Sequence, residues 1–166
     1  MSAQTRYGYN TPMGHAGGIV DLAPYAVDSF INEAANGIMK FGMGVVQGEN
    51  PGHGINVPAA GATVDKFEGI ATNNRTTEYN MDGELSVRKG ASVGVMRYGR
   101  IYGRIAADVE PAYGEAVHLI VSGDEAGCFT NAEAEGTTIA IKARFLSGVD
   151  TVAQVAMIEL FNQAQE

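Results

Sequence analysis

The chain has one cysteine, no tryptophan and five prolines among 166 residues. A lone thiol rules out an intramolecular disulfide, so the fold must rest on its own core. At this length one domain buries roughly 70% of the surface its unfolded form exposes, which is enough. Cys128 sits between Gly127 and Phe129, an apolar context that predicts a small buried thiol rather than a reactive one and fits a reducing compartment. No apolar run approaches the ~20 residues of a membrane span. The first residues lack the apolar centre of a secretion signal, so a protein made and kept in cytoplasm is expected, with no membrane partner. Positive charge is also scarce. The formal net charge of −8 argues against nucleic acid as a partner, because a duplex binder needs a cationic footprint that releases counterions.

Catalytic signatures are missing too. There is no Gly-x-Ser-x-Gly elbow, and Cys128 has no histidine within its own segment, which removes the two commonest nucleophile arrangements. Residues 42–48 echo a phosphate loop, but their glycine spacing is wrong for Gly-x-Gly-x-x-Gly. His15, His53 and His118 are solitary, whereas a cupin-like metal site needs a His-x-His pair with a carboxylate on a neighbouring strand. His118 reads as a hydrogen-bonded or surface histidine. Asp108, Glu110 and Glu115 flank a turn and read as solvated acids rather than a calcium cage. Asn74-Arg-Thr76 matches a glycosylation acceptor, which carries no weight without a secretion signal. No catalytic residue, metal or cofactor is expected.

What the chain does have is glycine, 22 residues of it, cutting short alternating runs. Residues 92–105 set the pattern. Val93 and Val95 face one way, Ile101, Gly103 and Ile105 repeat the period-two spacing, and Arg100, Tyr102 and Arg104 fall opposite. Arg97-Tyr98-Gly99 offers a glycine where a tight reversal needs positive φ, so the stretch reads as a hairpin.

Residues 1–18 carry Arg6, Tyr7, Tyr9, Pro12 and His15 with almost no aliphatic side chain, and read as an extended arm preceding a single β domain over 19–166. Tyrosine is a favoured interface anchor, which makes the arm a candidate contact. Residues 25–36 fit either a short helix capped at Asp28 or Ser29 or a strand alternating Val27, Ser29, Ile31. Ile38, Phe41, Val45 and Val46, separated by Gly42 and Gly44, read as a strand that another backbone approaches closely. Residues 47–58 read as a loop of about ten positions, 66–71 as a strand and 72–83 as a polar excursion. Further on, Val117, Leu119 and Val121 form one buried face with His118 and Ile120 opposite. Ile139, Ile141, Ala143 and Phe145 point inward, with Lys142 and Arg144 outward. Residues 152–161 are nearly all apolar and read as a strand covered on both faces, with a helix as the competing reading. The sum is an all-β antiparallel sandwich or barrel.

The order of several segments carries a resemblance. Gly18-Ile-Val-Asp-Leu22, Val27-Asp-Ser-Phe-Ile-Asn-Glu33, Met39-Lys-Phe-Gly-Met-Gly-Val-Val-Gln-Gly48, Phe67-Glu-Gly-Ile-Ala71, Val87 through Ile101, and Ala126-Gly-Cys-Phe129 together resemble the bacteriophage structural cement proteins, which decorate the outside of icosahedral heads. The resemblance implies a jelly-roll or related sandwich, no active site, the major capsid protein as partner, and a dimer or trimer on the shell's symmetry axes. It also implies a place on the outer capsid surface of the virion, after a stay in host cytoplasm. Candidate capsid or oligomer contacts are Arg6, Tyr7, Tyr9, His15, His53, Tyr98, Arg100 and Tyr102. The competing class is a carbohydrate- or receptor-binding β module of a phage tail or adhesin, for which no Trp and 8% aromatic residues offer little stacking surface. A metal-dependent β-barrel enzyme stands third.

Overall fold

A computed structural model describes residues 13–73, 78–79 and 85–161. Among them the regular structure is β throughout, apart from one 3-10 turn at Val64–Lys66. The strands are β1 (Ala26–Asn32), β2 (Gly44–Gln47), β3 (Gly54–Asn56), β4 (Phe67–Ala71), β5 (Glu78–Tyr79), β6 (Leu85–Ser86), β7 (Ser92–Arg104), β8 (Ala116–Ile120), β9 (Phe129–Thr130), β10 (Thr138–Phe145) and β11 (Val155–Leu160).

Strand β7 organises the molecule, and it does not turn back on itself. The hairpin expected at Arg97-Tyr98-Gly99 is a bend inside one 13-residue strand. The reason lies in its partners. The N-terminal half of β7 pairs with β1 on one edge (Phe30 opposite Val93, Asp28 opposite Val95) and with β4 on the other (Ala71 opposite Val95). The C-terminal half pairs with β11 from Gly99–Leu160 to Arg104–Val155. Gly99 supplies the positive φ, +124°, at which the strand passes from one set of partners to the other. A Cβ there would lie 2.6 Å from the Cβ of Tyr25.

The pairings close two rings that share β7. In the first, β1 runs parallel to β3, β3 antiparallel to β2, and β2 antiparallel to β4, which returns to β7. In the second, β7 pairs with β11, then β10, β8 and β9. A parallel bridge between Ile105 and Phe129, with Ala106 N–H donating to Phe129 O (3.0 Å), closes it. Closure removes open strand edges, the commonest sites of unwanted pairing.

Each ring has its own core. Phe30, Met39, Phe41, Val45, Ile55, Val93 and Val95 fill the first, and Ile101, Leu119, Phe129, Phe145, Ile158 and Leu160 the second. Met96 and Ile70 alternate away from the first core and pack into the second, so the two are joined through the sheet itself. Asn32 is fully buried in the first ring, where its Nδ2 donates to Val87 O (2.8 Å) and Arg88 O (3.2 Å) and its Oδ1 accepts from Ala34 N–H (2.9 Å). A buried amide is tolerable because it is satisfied in this way.

The inward and outward assignments on β10 hold, with Ile141, Ala143 and Phe145 buried and Lys142 exposed. Residues 155–160 form the strand chosen over a helix, with Val155, Ala156, Ile158 and Leu160 buried. Residues 25–36 contribute a strand rather than a capped helix. Its Val27, Ser29 and Ile31 point out and Phe30 and Asn32 in. Two expectations are corrected. Of the 38–46 stretch only residues 44–46 are strand, the start of β2, because the chain turns at 36–38 and again at 41–42. The close approach foreseen there is real, since a Cβ on Gly42 would lie 2.9 Å from Gly17 N and one on Gly44 2.5 Å from a Leu119 methyl. The ten-residue loop over 47–58 contains β3, and its turn is gripped from below. The Glu33 carboxylate accepts from Asn50 Nδ2 (2.7 Å) and from Glu49 N–H, filling the space that side chains on Gly48 and Gly54 would need.

Candidate functional site

Residues 17–32 run antiparallel along one edge of β7. Gly17 N–H donates to Tyr102 O (2.8 Å), Tyr102 N–H to Gly18 O (2.9 Å) and Val20 N–H to Arg100 O (3.0 Å), and β1 resumes the pairing at Ala26 opposite Tyr98. Between Val20 and Ala26 the chain leaves the ladder. Five residues, 21–25, stand off the sheet beside the bend at Gly99, where extra chain has to go. The sequence supplies turn chemistry for this: Asp21 Oδ1 accepts from Ala23 N–H (3.0 Å), and Pro24 follows.

This bulge is apolar where a solvated turn would be polar. Leu22 is 94% exposed, Tyr25 47% and Tyr98 42%, with Val27 and Phe161 also exposed. Pro24, Tyr98, Leu160 and Phe161 surround a hollow of about 150 Å³. The patch therefore combines a projecting leucine with two tyrosine rings and a phenylalanine on a rigid frame. Side chains of these types anchor protein interfaces through pockets on the partner.

A charge network holds the bulge down. Arg100 bonds Asp21 through Nη1 (2.8 Å) and Glu159 through Nε (3.1 Å), and Glu159 also accepts from Arg144 Nε (2.6 Å). The Arg144 guanidinium stands 5.7 Å from the centre of the Phe161 ring. The hydrogen bond from Arg100 and then the backbone N–H of Ala23 hold the Asp21 carboxyl below its ordinary range. For Glu159, burial pushes the carboxyl up, but the bonds from Arg144 and Arg100 outweigh it and the net direction is down. Two guanidinium groups and two carboxylates cancel, leaving an apolar patch on a neutral base.

The proposed contact residues separate into groups. Arg6, Tyr7 and Tyr9 lie outside the described residues, as does the acceptor motif at 74–76. Tyr98 is exposed in the patch, and Arg100 is the tether beneath it rather than a free contact. Tyr102 is half-buried on the same strand, and Gly14 lies so close that a Cβ there would fall 2.5 Å from its ring. His15 is exposed next to that contact. His53 is exposed in the β2–β3 turn, where its carbonyl accepts from Ile31 N–H (2.8 Å). Sequence reasoning missed Leu22, Tyr25 and Phe161. The signal was a leucine and a tyrosine bracketing Ala-Pro in a segment too short for a strand.

Among the described residues, the other chemistry-bearing side chains gather into no site. Glu115 accepts from Ala112 N–H (2.9 Å) and Asn131 Nδ2 (2.8 Å) within its own turn. Among the described residues no three His, Cys, Asp or Glu side chains gather as metal ligands. Cys128 is half-buried, and burial pushes its thiol up, away from the reactive thiolate. His118 is neither exposed nor hydrogen-bonded through Nδ1. It is 8% exposed and that nitrogen has no partner among the described residues. Thr130, itself buried, and Ala140 stand beside it in register on the flanking strands.

No curated protein matches the chain significantly. A chain of the solved structure "The capsid of Myoviridae Phage XM1" shares its fold, with a TM-score of 0.76 and 19% identity, covering 99% of this chain and 100% of that one. Residues 3–161 match the family described as structural cement protein (E217 gp24/Pam3 gp6), and the chain belongs to that family of capsid-associated structural proteins of bacteriophages.

Proposed function

We propose that this protein decorates the outer surface of the phage head and bridges neighbouring major capsid protein subunits, seating its Leu22–Tyr25–Tyr98–Phe161 patch on the shell. The observation that carries this reading is the exposure of Leu22, 94%, on a bulge tied down by ion pairs. A large side chain pre-set for insertion loses little further entropy when a partner pocket receives it. Bridging strengthens a shell under internal pressure because every added contact must break before subunits part, and repetition over many sites makes a modest affinity sufficient. Assembly as a dimer or trimer on symmetry axes would multiply that effect. Residues 1–12, with Arg6, Tyr7 and Tyr9, supply a second contact along the shell. Before assembly the protein resides in the host cytoplasm.

Co-sedimentation of the purified chain with heads assembled without it tests the proposal. Wild-type protein should pellet with heads, and Leu22→Asp should lower affinity by about tenfold or more, since a central anchor carries a large share of an interface. Removal of residues 2–12 should also weaken binding. The cut stops there because Gly17 and Gly18 are bonded to β7. Equal binding of wild type and L22D removes the patch from the interface.

A further inference from the structure

A second surface lies on the outer face of the second ring. The segments 106–109, 122–125 and 130–138 enclose a groove of about 530 Å³ over Ile120. Its lining is small and apolar, with Ala106, Val109, Ala132 and Ala134, and Thr130 and Thr138 add hydroxyls. The walls are pre-formed: Glu125 Oε1 accepts from Ala107 N–H (2.7 Å), and Thr138 Oγ1 from Ala134 N–H (2.9 Å). Small side chains let another backbone come close, and a volume of this size takes a few residues of a peptide.

The segments that build the rim are anionic, and Lys40, from the first ring, lines an adjoining hollow that shares Gly123 and Asp124 with it. Between Arg104 and Lys142 there is no lysine or arginine, while all seven acidic side chains in that span are exposed. Asp124 and Glu125 line the groove, and Glu133 and Glu135 flank its lining residues Ala132 and Ala134. The contrast with the rest of the chain is complete. Residues 1–104 carry nine basic and nine acidic side chains, and residues 105–166 two basic and ten acidic, so the whole formal net charge belongs to the second part. In register with Thr130, which lines the groove, stands His118, whose Nδ1 has no partner among the described residues.

We infer that this groove docks an extended basic segment of a protein partner, one that lays small apolar side chains on the alanine floor and sets lysine or arginine against the acidic rim. Complementary charge fixes partner choice and speeds encounter, and the apolar floor supplies the area. Resting on the capsid-binding reading above, the inference assigns that segment to the shell subunit and gives the bridge a further foot, chemically unlike the neutral patch around Leu22.

The test uses the full chain on heads assembled without it. The triple substitution Asp124→Lys, Glu133→Lys, Glu135→Lys leaves Glu125 and its wall contact intact, and Ala132→Trp fills the groove without changing charge. Both should bind heads about tenfold more weakly than wild type, and wild-type binding should weaken as salt rises from 50 to 500 mM, as exposed ion pairs do. A photo-crosslinker at position 132 should join the shell subunit at a stretch containing lysine or arginine. Heads that bind wild type and both variants equally, or a crosslink to a second copy of this chain, overturn the groove assignment while leaving the capsid reading standing. Heads that fail to bind wild type overturn the capsid reading itself. Thermal unfolding of both variants at the wild-type temperature separates lost docking from lost folding.

Discussion

The two rings are built alike and finished differently. Both close through β7 and both enclose an apolar core, yet the first buries an amide, Asn32, that is fully bonded and carries balanced charge, whereas the second buries His118 and Thr130 and is acidic on its loops. A closed ring fixes its inside by packing, so the outside is left free to serve partners. The proposed contacts use that freedom at two places: the seam, where the chain bulges away from Gly99, and the second ring's outer face.

The comparison can be broken from either side, and the largest effect is expected in the second core. Phe129 is fully buried and closes that ring through Ile105. Phe129→Ala should cost about 3–5 kcal/mol. Because β7 is common to both rings, denaturant unfolding should remain a single transition seen alike by tyrosines of either ring. Two separated transitions would show that the rings are independent.

Next comes the polar plug of the first ring. Asn32→Ala strands the carbonyl of Val87 and the amide of Ala34, while Arg88 O keeps its bond from Ala91 N–H, at about 1–3 kcal/mol for each group left buried and unsatisfied. Equilibrium unfolding should place its total near that of the Phe129 variant. A loss under 1 kcal/mol would mean that water satisfies these groups.

At the seam, Gly99→Ala must hold φ near +124° and fit a methyl against Tyr25. A cost of about 1–3 kcal/mol is expected, together with weaker head binding, because Tyr25 belongs to the patch. If stability falls while binding does not, the bulge is not the contact.

The smallest effect is that of pH on the tether. Asp21 and Glu159 have carboxyls held below the ordinary range in the folded chain. Their contribution is therefore fully present above the unfolded carboxylate range and is lost as pH falls through the folded-state values. Tyrosine fluorescence, undisturbed by tryptophan, should report loosening of the bulge below about pH 4. In Glu159→Gln the pH dependence should shrink. An unchanged acid profile in that variant would place the tether elsewhere.

Much of this architecture could be read from the residues. Period-two alternation marked β8 and β10 because each has one face inside a core, a nearly continuous apolar run marked β11, and the glycines at 42 and 44 marked a close backbone approach. The reversal at Gly99 was misread for a physical reason: positive φ serves a turn and an in-strand bend equally, and only long-range partners decide between them. Ring closure was hidden in the same way, since β1 meets β3 in parallel and Ile105 meets Phe129 across distances no local pattern records. Within the patch, Arg100 was legible as a cation on an outward face and Tyr98 as an aromatic in the expected turn. Leu22 and Phe161 were not, because an apolar side chain is by default assigned to the core.

Images of phage heads with and without this chain test the central claim most directly. The account predicts added density on the outside of the shell, spanning adjacent subunits, with the 21–25 bulge facing the capsid. Heads identical in both preparations, or density confined to the interior, would contradict it.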